Sequence, residues 1–263
     1  MLLMNEQFLQ SALKDFGIPA IHFYEETDST NERALMLAAQ GAQEFTLVIA
    51  ERQTAGRGRF GRKWETAPGA SLAFTVIICP TPEEQQRLSL FSFLGAVAIC
   101  QAIETHCEML PQVKWPNDIL LDGKKTCGIL AETAWRGGAI EGLVLGMGIN
   151  LLHGSVPPAD KVMFPATFVQ AHCENEIIRI EFLKSVMSNL INMRPNALSR
   201  DFLDAYQSRL AYLGEKVILS PIEGEAVQGV MAGVDDFGNL ILKDEKGNLK
   251  PFPIGDLRLR KSV

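Results

Sequence analysis

Basic charge is in short supply: 25 Lys and Arg stand against 31 Asp and Glu, a formal net charge of -6. No global positive field draws such a chain to DNA, RNA or an anionic membrane, so no nucleic-acid partner is expected. Long apolar runs are also missing. The longest, Leu90 to Cys100, contains Ser92 and falls well short of the roughly 20 residues that span a bilayer. The N-terminus, MLLMNEQFLQ, has no basic start and meets Asn5 and Glu6 too soon for a secretory segment, which predicts a cytoplasmic location without membrane attachment. Cysteine is scarce and unpatterned. Cys79, Cys100, Cys107, Cys127 and Cys173 are odd in number and form no CxxC pair, unlike a disulfide scaffold or a zinc site, so reduced, packed thiols are expected. His22, His106, His153 and His172 show neither HExxH nor paired spacing and are assigned no metal.

What is present is core-forming material: 263 residues, 47% hydrophobic, enough for one large domain and a small one. The first readable element follows Asp28, where Ser29 and Glu32 have capping-box spacing ahead of a helix from about Asn31 to Gln40. Thr46 to Ala50 and Ser71 to Ile78 read as buried strands, and Glu83 to about Thr105 as a long helix. Val113–Trp115, Asp118–Leu121, Thr126–Ala134 and Ile140–Met147 read as antiparallel strands punctuated by Pro116-Asn117, Asp122-Gly123 and Arg136-Gly137-Gly138. Helices are predicted at Ile177–Met193 and Asn196–Leu213. Beyond Glu215, short strands near 216–219, 226–234, 240–242 and 249–253, separated by Gly224, Asp236-Phe237-Gly238 and Lys246-Gly247, predict a small β-barrel or sandwich. The layout is a mixed α/β domain over residues 1–213 and a β domain over 214–263 that leans on it, being marginal alone.

The densest chemical signal is Gln53-Thr54-Ala55-Gly56-Arg57-Gly58-Arg59-Phe60-Gly61-Arg62-Lys63-Trp64, with three glycines and four cations between Gly56 and Trp64 of an acidic protein. Glycines let amide N–H groups converge on an anion, and arginines supply planar forks for carboxylate or phosphate. The alternative is a solvated basic loop. No crossover helix follows as in a dinucleotide fold, and the run is not the GxxxxGK[ST] phosphate loop. The second signal is Lys114-Trp115-Pro116-Asn117-Asp118, followed by Lys125 and Gly128-Ile129-Leu130. Asp118 has the oxygen donor that Mg²⁺ favours and Asn117 suits a nucleotide, although Asn-Asp after Pro also makes an ordinary turn. Lys125, at the start of an apolar strand, either snorkels to solvent or points into a cleft, and without further context snorkelling is favoured. Cys127, two residues on, shares its side or packs as a small hydrophobe.

QTAGRGRFGRKW, KWPNDI and KxxGIL, in this order, resemble the biotin protein ligases, which join biotin to a lysine of a carboxylase carrier domain. The likeness extends to Asp28-Ser29-Thr30-Asn31, Gly146-Met147-Gly148-Ile149-Asn150, Pro165-Ala166-Thr167 and Ile254-Gly255-Asp256-Leu257-Arg258. It implies a catalytic domain related to the class II aminoacyl-tRNA synthetases, followed by an SH3-like barrel. It also implies that biotin is held by Ser29, Thr30, Asn31, Gln53, Arg57, Gly58, Arg59, Lys125, Gly128 and Ile129. ATP falls to Arg59, Arg62, Trp64, Lys114, Asn117, Asp118 and Asn150, with Mg²⁺ at Asp118. The resemblance further places an aromatic or apolar residue near Ala166-Thr167 against the adenine, and the sequence identifies none.

The implied chemistry accounts for these residue types: a biotin carboxylate attacks the α-phosphate of ATP, and a lysine amine of the carrier then attacks the resulting mixed anhydride. Both first reactants are anionic, so cations must hold them in line, a role for Lys114, Lys125, Arg57 and Arg59 with Mg²⁺. The adenylate needs shielding from water, so the loop 56–64 is expected to order on ligand binding. No covalent enzyme intermediate is required, in keeping with the lack of a nucleophile motif. Only 28 residues precede Ser29, too few for the winged helix of the repressor-type relatives. The implied acceptor is the biotin carboxyl carrier domain of acetyl-CoA carboxylase, and the chain is a monomer or a homodimer. Two rivals stand beside this reading: a lipoate or octanoate ligase of the same fold, which the GRGRxGR and KWPND motifs disfavour, and a non-catalytic biotin-responsive binder.

Overall fold

The computed structural model describes residues 4–162, 164–221, 225–253 and 257–261. The predicted turn glycine Gly224 and Ile254-Gly255-Asp256 lie outside these residues.

Two elements precede the first one predicted. Helix α1 (Glu6–Ala12) is capped by Asn5, whose side chain accepts the Phe8 N–H at 2.8 Å. Strand β1 (Ile21–Thr27) escapes a pattern reading because polar residues interrupt it; it exists by pairing in parallel with β2 (Leu47–Gln53). Between them lies α2 (Thr30–Ala39). Ser29 stands at its N-cap in extended conformation, but its hydroxyl makes no capping bond, so the predicted capping box does not close. Strand β3 (Ser71–Ile78) matches its expected span. The long helix begins later than expected, at α3 (Leu90–His106), after a 3-10 turn at Glu84–Arg87. Strands β4 (Gln112–Lys114), β5 (Asp118–Leu121), β6 (Lys124–Arg136) and β7 (Ala139–Asn150) follow, the last two running well past their predicted ends. Helices α4 (Arg179–Met193) and α5 (Arg200–Gln207) complete this part. The latter is shorter than predicted because Pro195 sits in a 3-10 turn and Ser199 caps the helix by accepting the Phe202 N–H.

These strands form one mixed sheet in the order β1-β2-β3-β7-β6-β5-β4, parallel only at β1/β2. Alternation along each strand gives its two faces different jobs. Leu72, Phe74, Val76 and Ile78 of β3, with Leu143, Leu145, Met147 and Ile149 of β7, share the main core with α3 and α4. The opposite face carries smaller residues. There α2 covers Val48, Ile77 and Val144 through Ala34 and Ala38, and beyond it a register row runs Asp118–Gly128–Gly148–Ala73 with almost no side chain standing on it. That bare floor makes room for a cleft.

The C-terminal part is an antiparallel sheet in the order β11-β10-β9-β8-β12, formed by β8 (Lys216–Pro221), β9 (Val227–Val234), β10 (Leu240–Lys243), β11 (Leu249–Phe252) and β12 (Leu257–Lys261). Its inward residues Val217, Leu219, Met231, Leu240 and Leu242 belong to the same core as the large sheet. It leans on that sheet as expected: the Trp115 indole donates to Gly238 O at 3.1 Å, and Gly238 packs against Leu90 and Phe93.

The cysteine expectation needs correction. Cys107, just after α3, is bonded to Cys173, with 4.5 Å between their Cα atoms. A separation of 66 residues hid the pair from any motif search; tertiary packing alone brings them together. Cys100 and Cys127 are buried free thiols as expected, whereas Cys79 is exposed.

Candidate active site

The bare end of the sheet floors a cleft. It is lined from the N-cap and first turn of α2 by Ser29, Thr30 and Asn31, from the end of β2 by Gln53, and from the loop by Arg57, Gly58, Arg59, Arg62 and Trp64. The β4–β5 turn adds Lys114, Asn117 and Asp118, and β6 adds Lys125, Gly128 and Ile129. Asn150 lines an adjoining hollow together with Phe164 and Ala166. The residues singled out in the sequence thus converge, although nearly 100 positions separate Asn31 from Leu130, whose carbonyl accepts its amide.

At the α2 end the floor is a polar network. Gln53 Oε1 accepts the Thr30 N–H at 2.8 Å and its hydroxyl at 3.1 Å. Thr75 Oγ1 donates to Asn31 Oδ1 at 2.7 Å and lies 2.8 Å from Thr30 Oγ1. Asn31 Nδ2 donates to Leu130 O and to Glu132 Oε2 at 3.1 and 2.8 Å. Buried side chains satisfied this way stay in place, so the network is a preformed set of donors and acceptors. Two glycines permit it: a Cβ at Gly146 would overlap Asn31 Oδ1, and one at Gly148 would overlap the Trp64 indole. Trp64 lies on this floor, and its buried Nε1 has no hydrogen-bond partner among the described residues.

At the other end cations gather. A bulge in β6 at Thr126 shifts the register, so Lys125 faces the cleft with Gly128 while Cys127 packs into the core. Lys125 therefore does not snorkel; Nζ donates to Asp118 Oδ1 at 2.5 Å. Its backbone is held on both sides, its N–H by Pro165 O at 2.7 Å and its carbonyl by the Thr167 N–H at 2.9 Å. Lys114 is 5% exposed and its Nζ stands 4.1 Å from the centre of the Phe164 ring. Burial lowers its pKa to about 8; Asp118 opposes the shift, while Arg260, Lys125 and Arg62 reinforce it. The turn between them has a cis Trp115–Pro116 peptide and is tied to β6 by Asn117, which donates to Ile129 O at 2.6 Å and accepts its N–H at 3.0 Å. Asn117 Oδ1 also accepts from Arg59 at 3.4 Å.

Arg57 departs from the expected anion clamp. Its guanidinium pairs with Glu32 and with both carboxylate oxygens of Glu132, the latter at 3.0 and 3.1 Å. Sequence reading assigned Glu32 only to a helix cap and missed Glu132, Phe164 and Arg260; strand register brings Glu132 here, the segment between β7 and α4 brings Phe164, and the C-terminal sheet brings Arg260.

Residues 23–150 match the model of the biotin/lipoate A/B protein ligase family, and residues 212–260 that of the biotin protein ligase C-terminal domain. The biotin--[acetyl-CoA-carboxylase] ligase of Paracoccus denitrificans is 34% identical over 84% of this chain and 93% of its own length. The chain belongs to the biotin protein ligase family. Within that family, the bifunctional ligase/repressor BirA of Bacillus spizizenii is 30% identical over 97% of this chain and 79% of its own. Among solved biotin protein ligases, that of Aquifex aeolicus in complex with biotin and ATP superimposes with a TM-score of 0.78 at 28% identity, covering 93% of this chain and all of that one.

Proposed function

We propose that this chain forms biotinyl-5′-adenylate from biotin and ATP and passes the biotinyl group to a lysine of the biotin carboxyl carrier domain of acetyl-CoA carboxylase. The observation that carries this reading is the division of one cleft into a neutral hydrogen-bonding end, at Thr30, Asn31 and Gln53, and a cationic end, at Lys114, Lys125, Arg59 and Arg62. A neutral ring system with a carboxylate tail suits the first, and a triphosphate suits the second.

The reacting carboxylate lies between them. Lys125, oriented by Asp118 and by two backbone bonds, stabilises the charge that builds on the carboxylate and α-phosphate oxygens. Lys114, Arg59 and Arg62 take the leaving pyrophosphate. Phe164, beneath Lys114 and in the hollow with Asn150 and Ala166, is the aromatic surface for the adenine. In the second step the carrier amine attacks the acyl carbonyl and AMP departs. Mg²⁺ arrives with the nucleotide as Mg–ATP: Asp118 is engaged by Lys125, and among the described residues no three His, Cys, Asp or Glu form a metal cluster.

The deciding experiment is acid-dependent exchange of labelled pyrophosphate into ATP, run separately with biotin, lipoate and octanoate. Exchange with biotin alone is expected. Exchange with lipoate transfers the chain to the sister activity, and none with any acid leaves a biotin-responsive binder.

A further inference from the structure

Lys125 is seated on a segment far along the chain. Its N–H donates to Pro165 O and its carbonyl accepts the Thr167 N–H, so residues 165–167 form a strap along the start of β6. Asn150 joins the same strap, its Nδ2 donating to Thr167 O at 3.3 Å. None of these bonds uses the Thr167 side chain. Thr167 is 9% exposed, and its hydroxyl oxygen is hydrogen-bonded to His172 Nε2 at 2.9 Å. The other ring nitrogen, Nδ1, faces Asp122 Oδ2 at 3.3 Å, in the turn between β5 and β6. The imidazole thus links the strap to the hairpin that carries Asp118 and Lys125. It is itself held from behind: Val169 of the same 3-10 turn is fully buried, the Gln170 N–H donates to Leu151 O at 2.9 Å, and Cys173, the next residue, is bonded to Cys107.

We propose that His172 is a positioning residue that, through the Thr167 hydroxyl, holds the strap where Pro165 O and the Thr167 N–H grip Lys125. Asp122 is the lesser arm, because its largely exposed carboxylate is screened by water. The consequence for catalysis rests on the biotin-ligase reading, in which the Lys125 ammonium must lie against the charge that builds on the carboxylate and α-phosphate oxygens.

Replacing the two ring nitrogens separately tests this. His172→Gln keeps a polar group near the Nε2 position, facing Thr167, whereas His172→Asn keeps one near Nδ1, facing Asp122. In hydrogen exchange on the unliganded full chain, the Lys125 and Thr167 amides of His172→Asn should exchange about threefold to tenfold faster than wild type, as loss of one sheltered hydrogen bond allows. Those of His172→Gln should stay within about twofold, and amides of the β6–β7 ladder should keep their wild-type rates in both. Strap amides unchanged in both variants, or equally fast in both, overturn the proposal; so does acceleration of strap and ladder together, which would make His172 a support of the fold. Thr167→Val, which removes the hydroxyl from the other side, should match His172→Asn, and the double variant should add nothing to either. If His172→Asn does not fold, Thr167→Val carries the same prediction and the same refutation. With biotin and ATP, kcat for pyrophosphate exchange should fall about fivefold to tenfold in His172→Asn and recover in His172→Gln, with KM for biotin changed less. A loss confined to KM, or shared equally by the two variants, overturns the link to Lys125. A wild type that exchanges no pyrophosphate with biotin refutes the ligase reading, while the amide rates still decide the role of His172.

Discussion

At Lys114, burial and three neighbouring cations work against the charged ammonium, and Asp118 alone supports it. The folded protein sheds this proton near pH 8, whereas an unfolded chain keeps it to about 10.5. Between those values the unfolded state binds more protons, so this group's contribution to stability rises with pH through the window. Activity moves the other way. If the charged ammonium takes the leaving pyrophosphate, kcat/KM for ATP falls with a one-proton limb near pH 8, and Lys114→Arg, charged throughout, removes that limb while retaining activity below it. A pH profile of both enzymes checks this. Gly146 makes a steric prediction: Gly146→Ala forces Asn31 out of its network, costing about 1–3 kcal/mol in denaturant unfolding and weakening biotin binding in calorimetry.

The loop and the strands around it make the next predictions. Arg59→Ala, which loses the bond to Asn117, is expected to release adenylate to solvent more than it weakens ATP binding; equal losses would count against loop closure. Saturating biotin and ATP should slow tryptic cleavage at Arg57 to Arg62, because shielding the adenylate requires the loop to stay down. The segment 165–173 is fastened to Lys125 at one end and by the Cys107–Cys173 bond at the other. Alkylation of the denatured, unreduced protein should therefore label Cys79, Cys100 and Cys127 alone, and prior reduction should expose all five. By chain entropy, the Cys107–Cys173 bond, whose ends are 66 residues apart, stabilises the fold by on the order of 4 kcal/mol, which unfolding with and without reductant measures.

For the molecule as a whole, the C-terminal sheet is part of the core that supports the site. Trp115 sits between Lys114 and the cis proline while its indole bonds Gly238 across the junction, and Tyr206 donates to Pro116 O from a stack on Phe93. Trp115→Phe removes the junction bond and leaves Gly238 O short of a donor; it should cost about 1–3 kcal/mol in unfolding and lower exchange activity through the displaced turn. A chain ending before β8 would expose Leu90, Phe93 and Trp115 to water and should not remain a folded monomer.

The sequence by itself determined the strand and helix run from α2 to β11, apart from element ends, the loop and turn that carry the charges, and the family, because these reside in local periodicity and contiguous motifs. Tertiary structure decided what depends on strangers in sequence meeting in space. Polar β1 became a strand only beside β2; the bulge at Thr126, not the residue types, turned Lys125 into the cleft; and Glu32 chose Arg57 over its own helix cap. Register, which no single segment encodes, aligned Gly128 and Gly148 into an open floor and brought Glu132 to Asn31 and Arg57.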